Sequence, residues 1–226
     1  LVWMGDESFM KQQIATKLAE GFTCIKLKIG AIDFQKELDL LQFIRSHFSP
    51  EQIEIRVDAN GAFALNEALD KLHQLDKFQL HSIEQPIKKG NTKTMAELCK
   101  KTPFPIALDE ELIGVFSFED KEKLLKEIQP QYIILKPSFI GGFSATKEWI
   151  DLADKYVIGW WITSALESNI GLNAIAQWTF LQNSIMPQGL GTGALYTNNF
   201  DCPLEVSKGQ LWYNTSKSWD IFEVTK

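Results

Sequence analysis

Ile25-Lys26-Leu27-Lys28-Ile29 alternates aliphatic and cationic residues with a period of two. A β-strand turns successive side chains to opposite faces, so both lysines share one face and the three aliphatics share the other. Taken alone, the pattern fits an edge strand with one solvated side. Four further strand-like runs end in charge: Arg56-Val57-Asp58, Ser82-Ile83-Glu84, Ala107-Leu108-Asp109 and Ile134-Leu135-Lys136. They follow one another at intervals of about 25–30 residues, close to one β-α-β repeat. Between them the apolar spacing is helical, over residues 9–19, 33–47, 65–75, 92–101, 118–128, 144–155 and 170–182. Strands are read over residues 1–4, 24–29, 53–58, 80–84, 105–109, 132–136 and 158–163, with a last short run near Leu190.

Strands alternating with helices make parallel β-α-β units, and about eight of them close an α/β barrel of the TIM type. The alternative is an open doubly wound sheet, but no GxGxxG follows the first strand. Gly189-Leu190-Gly191-Thr192-Gly193 lies at the wrong end for a dinucleotide loop and reads as a turn after the last strand. Residues 1–195 are read as the barrel. Residues 196–226 are read as a C-terminal tail outside it, with a hairpin over residues 204–213 turning at Lys208-Gly209.

Composition bounds the function classes. The 226 residues are 45% hydrophobic and 23% charged, enough for a folded core. A net charge of −6 with no basic cluster argues against nucleic acid or an anionic membrane as partner. Cys24, Cys99 and Cys202 are far apart and form no CxxC pair, which suits a reducing, cytoplasmic setting. The longest apolar run, residues 157–166, is too short to span a bilayer. The sequence opens Leu1-Val2-Trp3 in mid-strand, with no signal peptide, and an upstream part is expected.

In a closed barrel the aliphatic face of 25–29 must meet the helices, which turns both lysines inward, a costly placement for charges without a role. The strand C-termini form the end where barrel active sites lie. A lone Asp there could simply cap the next helix, but five successive strands carry charge at the equivalent place. Asp58, Glu84 and Asp109 supply an all-oxygen set suited to a hard ion such as Mg²⁺. Zinc ordinarily takes His or Cys, and His47, His73 and His81 do not fall at strand ends. Lys28 and Lys136 would flank the carboxylates from opposite sides, with Lys26 beside Lys28. A lysine base has to be neutral, and bringing its pKa from about 10.4 to about 7–8 costs roughly 4 kcal/mol. This set suits removal of a proton next to a carboxylate.

At these residues the chain resembles the enolase superfamily, in its muconate-lactonising subgroup. Lys26-Leu27-Lys28 is similar to the subgroup's KxK; Asp58-Ala59-Asn60-Gly61, Glu84-Gln85-Pro86, Asp109-Glu110 and Lys136-Pro137 are similar to its motifs on the next four barrel strands. Such sites pair a Lys or His base with Mg²⁺. The resemblance implies a (β/α)7β barrel, Mg²⁺ (with Mn²⁺ as a substitute) on Asp58, Glu84 and Asp109, and Lys28 and Lys136 as catalytic residues. Arg56, Asn60 and Glu110 would support them. It also implies an N-terminal capping domain, to which nothing here corresponds, and a small carboxylate as substrate.

Leu135-Lys136-Pro137-Ser138 and the run Thr163-Ser164-Ala165-Leu166-Glu167-Ser168 look most like the o-succinylbenzoate synthase family. Its members dehydrate 2-succinyl-6-hydroxy-2,4-cyclohexadiene-1-carboxylate (SHCHC) in menaquinone biosynthesis. By that resemblance Lys28 removes the α-proton, an enediolate expels hydroxide, and Lys136 faces the ring as a cation. Lys26, Ser164, Gly189 and Gly191 would contact substrate. Two alternatives stand beside it. One is an N-acylamino acid racemase or dipeptide epimerase on the same lysine pair; the other is a non-catalytic barrel holding a metal for structure.

Overall fold

The computed structural model describes residues 1–3, 5–191 and 195–220. Six parallel strands, β1 (Cys24–Lys28), β2 (Glu54–Asp58), β3 (Ser82–Glu84), β4 (Ile106–Leu108), β5 (Tyr132–Leu135) and β6 (Gly159–Ile162), pair in chain order. The helices alternate with them: α1 (Glu7–Ala19) precedes β1, and α2 (Phe34–His47), α3 (Ala68–Asp76), α4 (Thr92–Lys101), α5 (Phe118–Ile128), α6 (Gly142–Lys155) and α7 (Asn169–Phe180) follow β1 to β6 in turn. A single parallel bridge extends the sheet at each end, Val2 to Leu27 and Thr163 to Gly189. The strands expected at residues 1–4 and near Leu190 are thus reduced to bridges, and Met4 lies outside the described residues. No described helix is long and apolar enough to cross a membrane.

Local sequence explains where the elements start. Asp33 accepts from the amides of Gln35 and Lys36, and Ser117 from that of Asp120, so α2 and α5 begin on side-chain caps. Helix α3 starts at Ala68, later than the spacing suggests: Ala64 takes the first turn's amides from Glu67 and Ala68, and Leu65 stays exposed. Helix α6 starts earlier, at Gly142, because Gly141 and Gly142 both take positive φ and turn the chain at once.

The period of two divides the core. Ile25, Leu27, Val57, Ile83, Leu108, Ile133, Leu135 and Ile162 face the helices and pack with Leu41, Ile44, Leu72, Leu98, Leu125 and Trp149. Each such fully buried side chain contributes roughly 1.5–3 kcal/mol. The inward face holds only a small apolar cluster of Ala107, Ile134 and Trp161, with Tyr132 and Met186 against it. Charge fills much of the rest.

The expected hairpin forms as β7 (Leu204–Ser207) and β8 (Gln210–Tyr213), a separate antiparallel pair. Lys208 and Gly209 have φ of 52° and 72°, the left-handed pair that a two-residue turn requires. A Cβ on Gly209 would lie 2.7 Å from the Gly21 carbonyl oxygen, so the turn sits close against the α1–β1 connection. Gly209→Ala is expected to lower stability by about 1–2 kcal/mol from the backbone conformation alone, measurable as a reduced denaturation midpoint.

Candidate active site

Strand β1 sets the first wall of the site. Its register with β2 places Lys28 opposite Asp58, and β2 with β3 places Asp58 opposite Glu84. Glu84 pairs with Ala107 on β4, so Asp109 stands two residues further along the barrel axis. Lys136, just past β5, lies higher again, since β4 pairs Leu108 with Ile133. The stagger arranges the charges as a rising arc rather than a flat ring.

The three carboxylates are buried, with side-chain exposures of 0% for Asp58, 2% for Glu84 and 3% for Asp109. The lysines lean onto them from the open side. Lys26 Nζ is 2.5 Å from Glu84 Oε2 and 3.2 Å from Asp58 Oδ2. Lys28 Nζ donates to Asp58 Oδ2 at 2.6 Å and to Asn60 Oδ1 at 2.5 Å. Lys136 Nζ donates to Asp109 Oδ2 and stands 3.9 Å from Glu84 Oε1. Asn60 in turn donates to Glu110 Oε1 at 2.9 Å, and its own amide donates to Asp58 Oδ1 at 3.0 Å. Both Asn60 and Glu110 therefore brace the lysine and carboxylate network. Arg56 lies deeper: its guanidinium is 4.1 Å from the centre of the Trp161 ring and donates to Glu54 and to the Pro187 carbonyl.

Electrostatics follow from these pairings. Burial alone would lower Lys26 and Lys136, but Glu84 and Asp58 raise the first and Asp109 and Glu84 the second, leaving both above the ordinary ammonium value. Asp58 is buried as well, yet Lys26 and Lys28 hold it below the usual carboxylate range. Glu84 is pushed well above that range by its complete burial, offset only in part by Lys26 and worsened by Asp58 and Asp109. A lysine raised on folding stabilises the fold fully below its unfolded pKa of about 10.4 and loses that contribution as pH climbs through the folded value. The thermal midpoint is therefore expected to fall once pH rises beyond about 10.4, to be checked by melts across alkaline pH.

A cavity of about 430 Å³ opens in front of the lysines. Lys26, Lys28, Lys136, Arg56, Ser164, Gly189 and Gly191 all line it, so these sequence-selected residues do converge. Gly189 is required there, because a Cβ would meet Thr163 Cγ2 at 2.6 Å. Gly191 is not constrained in this way, its nearest such contact being Phe22 at 3.9 Å. Thr192 and Gly193 of the same loop lie outside the described residues. Sequence reasoning missed the aromatic part of the lining, Trp3, Phe22, Phe139 and Trp161. Trp161 was within reach, since it shares the inward face of β6 with Gly159 and Thr163. Lys26 is also more closely tied to carboxylates than a purely substrate-facing role predicts.

The donor set fits a hard divalent ion. It is all oxygen, it comes from adjacent strands, and Glu84 Oε1 is buried without a hydrogen-bond partner. As the side chains stand, each carboxylate leans toward a lysine. Among the described residues no three Asp, Glu, His or Cys side chains converge closely enough to hold an ion. His47 and His81 stand apart from this set, packed at tilted angles against Phe43 and Tyr132. Cys24 and Cys99 are both pushed up to about 12 by burial, the chemistry of inert thiols.

The family model for the enolase C-terminal domain-like fold matches residues 10–216. This chain belongs to the enolase superfamily. The fold is accordingly that superfamily's TIM-type barrel domain. An o-succinylbenzoate synthase from Desulfotalea psychrophila is 59% identical over 211 residues, covering 93% of this chain and 57% of that protein. The crystal structure of MenC from the same organism superposes with a TM-score of 0.87 at 58% identity, covering 93% of this chain and 58% of that one. An L-amino acid-D/L-Glu epimerase from Francisella philomiragia is 31% identical over 76% of this chain and 48% of that protein. The chain thus spans about half the length of these superfamily relatives.

Proposed function

We propose that the protein is a divalent-ion-dependent lyase that dehydrates SHCHC to o-succinylbenzoate, its barrel spanning residues 1–195 and its tail 196–226. The observation that carries this reading is the cavity lined by Lys28 and Lys136 with three buried carboxylates behind them. Likeness to a relative named o-succinylbenzoate synthase at 59% identity supports the choice of substrate.

In this reading Asp58, Glu84 and Asp109 hold Mg²⁺, with Mn²⁺ as a substitute. A bound Mg²⁺ would supply Lewis-acid stabilisation of the negative charge that develops on the substrate carboxylate. Lys28 Nζ accepts the α-proton, with Asn60 and Asp58 fixing where that nitrogen points. Lys136, kept cationic by Asp109, faces the substrate from the β5 side and offsets its negative charge. The departing hydroxyl and the abstracted proton together make the water that is lost, and the ring becomes aromatic. Deprotonation is therefore the demanding step. Lys26 and Arg56 add positive charge to the cavity, which suits an anionic substrate. Phe139 offers flat apolar surface to its ring, and Ser164 with Gly189 and Gly191 shapes the wall for the succinyl arm.

Racemisation of an N-acylamino acid is the second reading, favoured by the presence of lysines from both β1 and the β5 end. Epimerases of the subgroup that act on dipeptides tend to carry Asp-x-Asp after the last strand, where this sequence reads Gly191-Thr192-Gly193. Assays of the complete chain with Mg²⁺ separate the two. Conversion of SHCHC at least about tenfold faster, in kcat/KM, than racemisation of N-succinylamino acids is expected, a gap of about 1.4 kcal/mol. Brisk racemisation without SHCHC turnover would refute the assignment.

A further inference from the structure

Gln85 follows Glu84 directly and is fully buried, and its φ of 39° lies in the left-handed region that a residue with a side chain rarely enters. All of its polar groups are engaged. Its amide donates to the Ala107 carbonyl at 2.9 Å and its carbonyl accepts from Gly61 at 2.7 Å. Its side-chain Oε1 accepts from the Asp109 amide at 3.3 Å, while Nε2 donates to the Ile87 carbonyl at 3.0 Å and to Glu111 Oε1 at 3.4 Å. Glu111 is itself buried, and both its oxygens accept from the Gly90 amide at 3.1 Å. One side chain thus joins the loop after β3 to Asp109, and one backbone joins it to the loop after Asp58.

A filler for this space would be better as an apolar residue, since a buried amide is costly unless every group is satisfied. A satisfied buried amide does something an apolar residue cannot: it fixes directions. Here the directions fixed belong to the three strand ends that carry Asp58, Glu84 and Asp109. We propose that Gln85, held by Glu111, is a positioning residue that sets the spacing of these three carboxylates and so makes the site prefer an ion of Mg²⁺ size over Ca²⁺. Mg²⁺ demands near-ideal geometry at about 2.0–2.1 Å, whereas Ca²⁺ accepts looser sets at about 2.3–2.6 Å. Loosening the bracket therefore harms Mg²⁺ binding more. The inference rests on the reading of Asp58, Glu84 and Asp109 as ion ligands.

The test is titration calorimetry of the complete chain with MgCl2 and with CaCl2, for the natural protein and for Gln85→Met, Glu111→Gln and Asp58→Asn. Gln85→Met is expected to weaken Mg²⁺ binding by about 10–100-fold, the usual range for outer partners of metal ligands. Its Ca²⁺ affinity is expected to change by about threefold or less, so the preference collapses. Glu111→Gln keeps an acceptor oxygen but turns an amide toward Gln85, and a smaller loss of preference in the same direction is expected. Should Gln85→Met fail to fold by circular dichroism, Glu111→Gln carries the test. A folded variant in which both ions weaken equally, or neither does, overturns the proposal and leaves Gln85 a loop brace. Failure of the natural protein to bind Mg²⁺, or undiminished binding by Asp58→Asn, instead removes the ion-site reading and the inference with it.

Discussion

Lys28→Ala is expected to lower kcat for SHCHC dehydration by about 10²–10⁴-fold, the range for loss of a positioned base, while Mg²⁺ affinity changes little. The split follows from the geometry. Lys28 reaches the cavity, yet its ammonium is shared with Asp58 and Asn60, and Asp58 keeps Lys26 as a second cationic partner. Removing Lys28 therefore deletes the proton acceptor without leaving the carboxylate stranded. Lys136→Ala is expected to abolish turnover too, with Mg²⁺ binding retained. Steady-state kinetics and calorimetry on the same preparations check both halves. Unchanged turnover in Lys28→Ala would remove Lys28 as the base, and no turnover in the natural protein would favour the non-catalytic barrel.

Asp58→Ala is expected to act on the opposite half, abolishing measurable Mg²⁺ binding and destabilising the fold. Asp58 is itself buried and faces Lys26 and Lys28, so its loss leaves Lys28 with no carboxylate partner and Lys26 with Glu84 alone. Breaking a buried pair by deleting one partner typically costs about 3–5 kcal/mol. Denaturant titration reads that loss directly. Asp58→Asn, which keeps the volume and one acceptor oxygen, should restore much of the stability without restoring the ion. A variant that recovered both would show that the negative charge of Asp58 is not what the site needs.

The charged strand ends were legible because two periods coincide in the sequence. The alternation at 25–29 fixes which face each lysine takes, and the 25–30-residue interval puts Asp58, Glu84, Asp109 and Lys136 at one end of the barrel. The hairpin at Lys208-Gly209 was legible for a different reason, since its turn chemistry is local. Pairing was not legible. That Lys26 lies against Glu84, and Lys136 against Asp109, depends on a register that sets Glu84 beside Ala107 and lifts Asp109 along the axis. Contacts across the barrel were equally hidden: the stack of Arg56 on Trp161 joins residues from strands that are not neighbours. Gln85 entered only as part of the Glu84-Gln85-Pro86 motif, and its bracing contacts to Asp109, Glu111 and Gly61 depend on tertiary neighbours that the sequence does not show.

The proposed dehydration needs a carboxylate ion site acting with lysines on an anionic substrate. SHCHC turnover by the complete chain, followed before and after EDTA and again with added Mg²⁺, tests it most directly. Turnover that EDTA abolishes and Mg²⁺ restores is the predicted result. Turnover indifferent to EDTA, or none even with Mg²⁺ present, would contradict it.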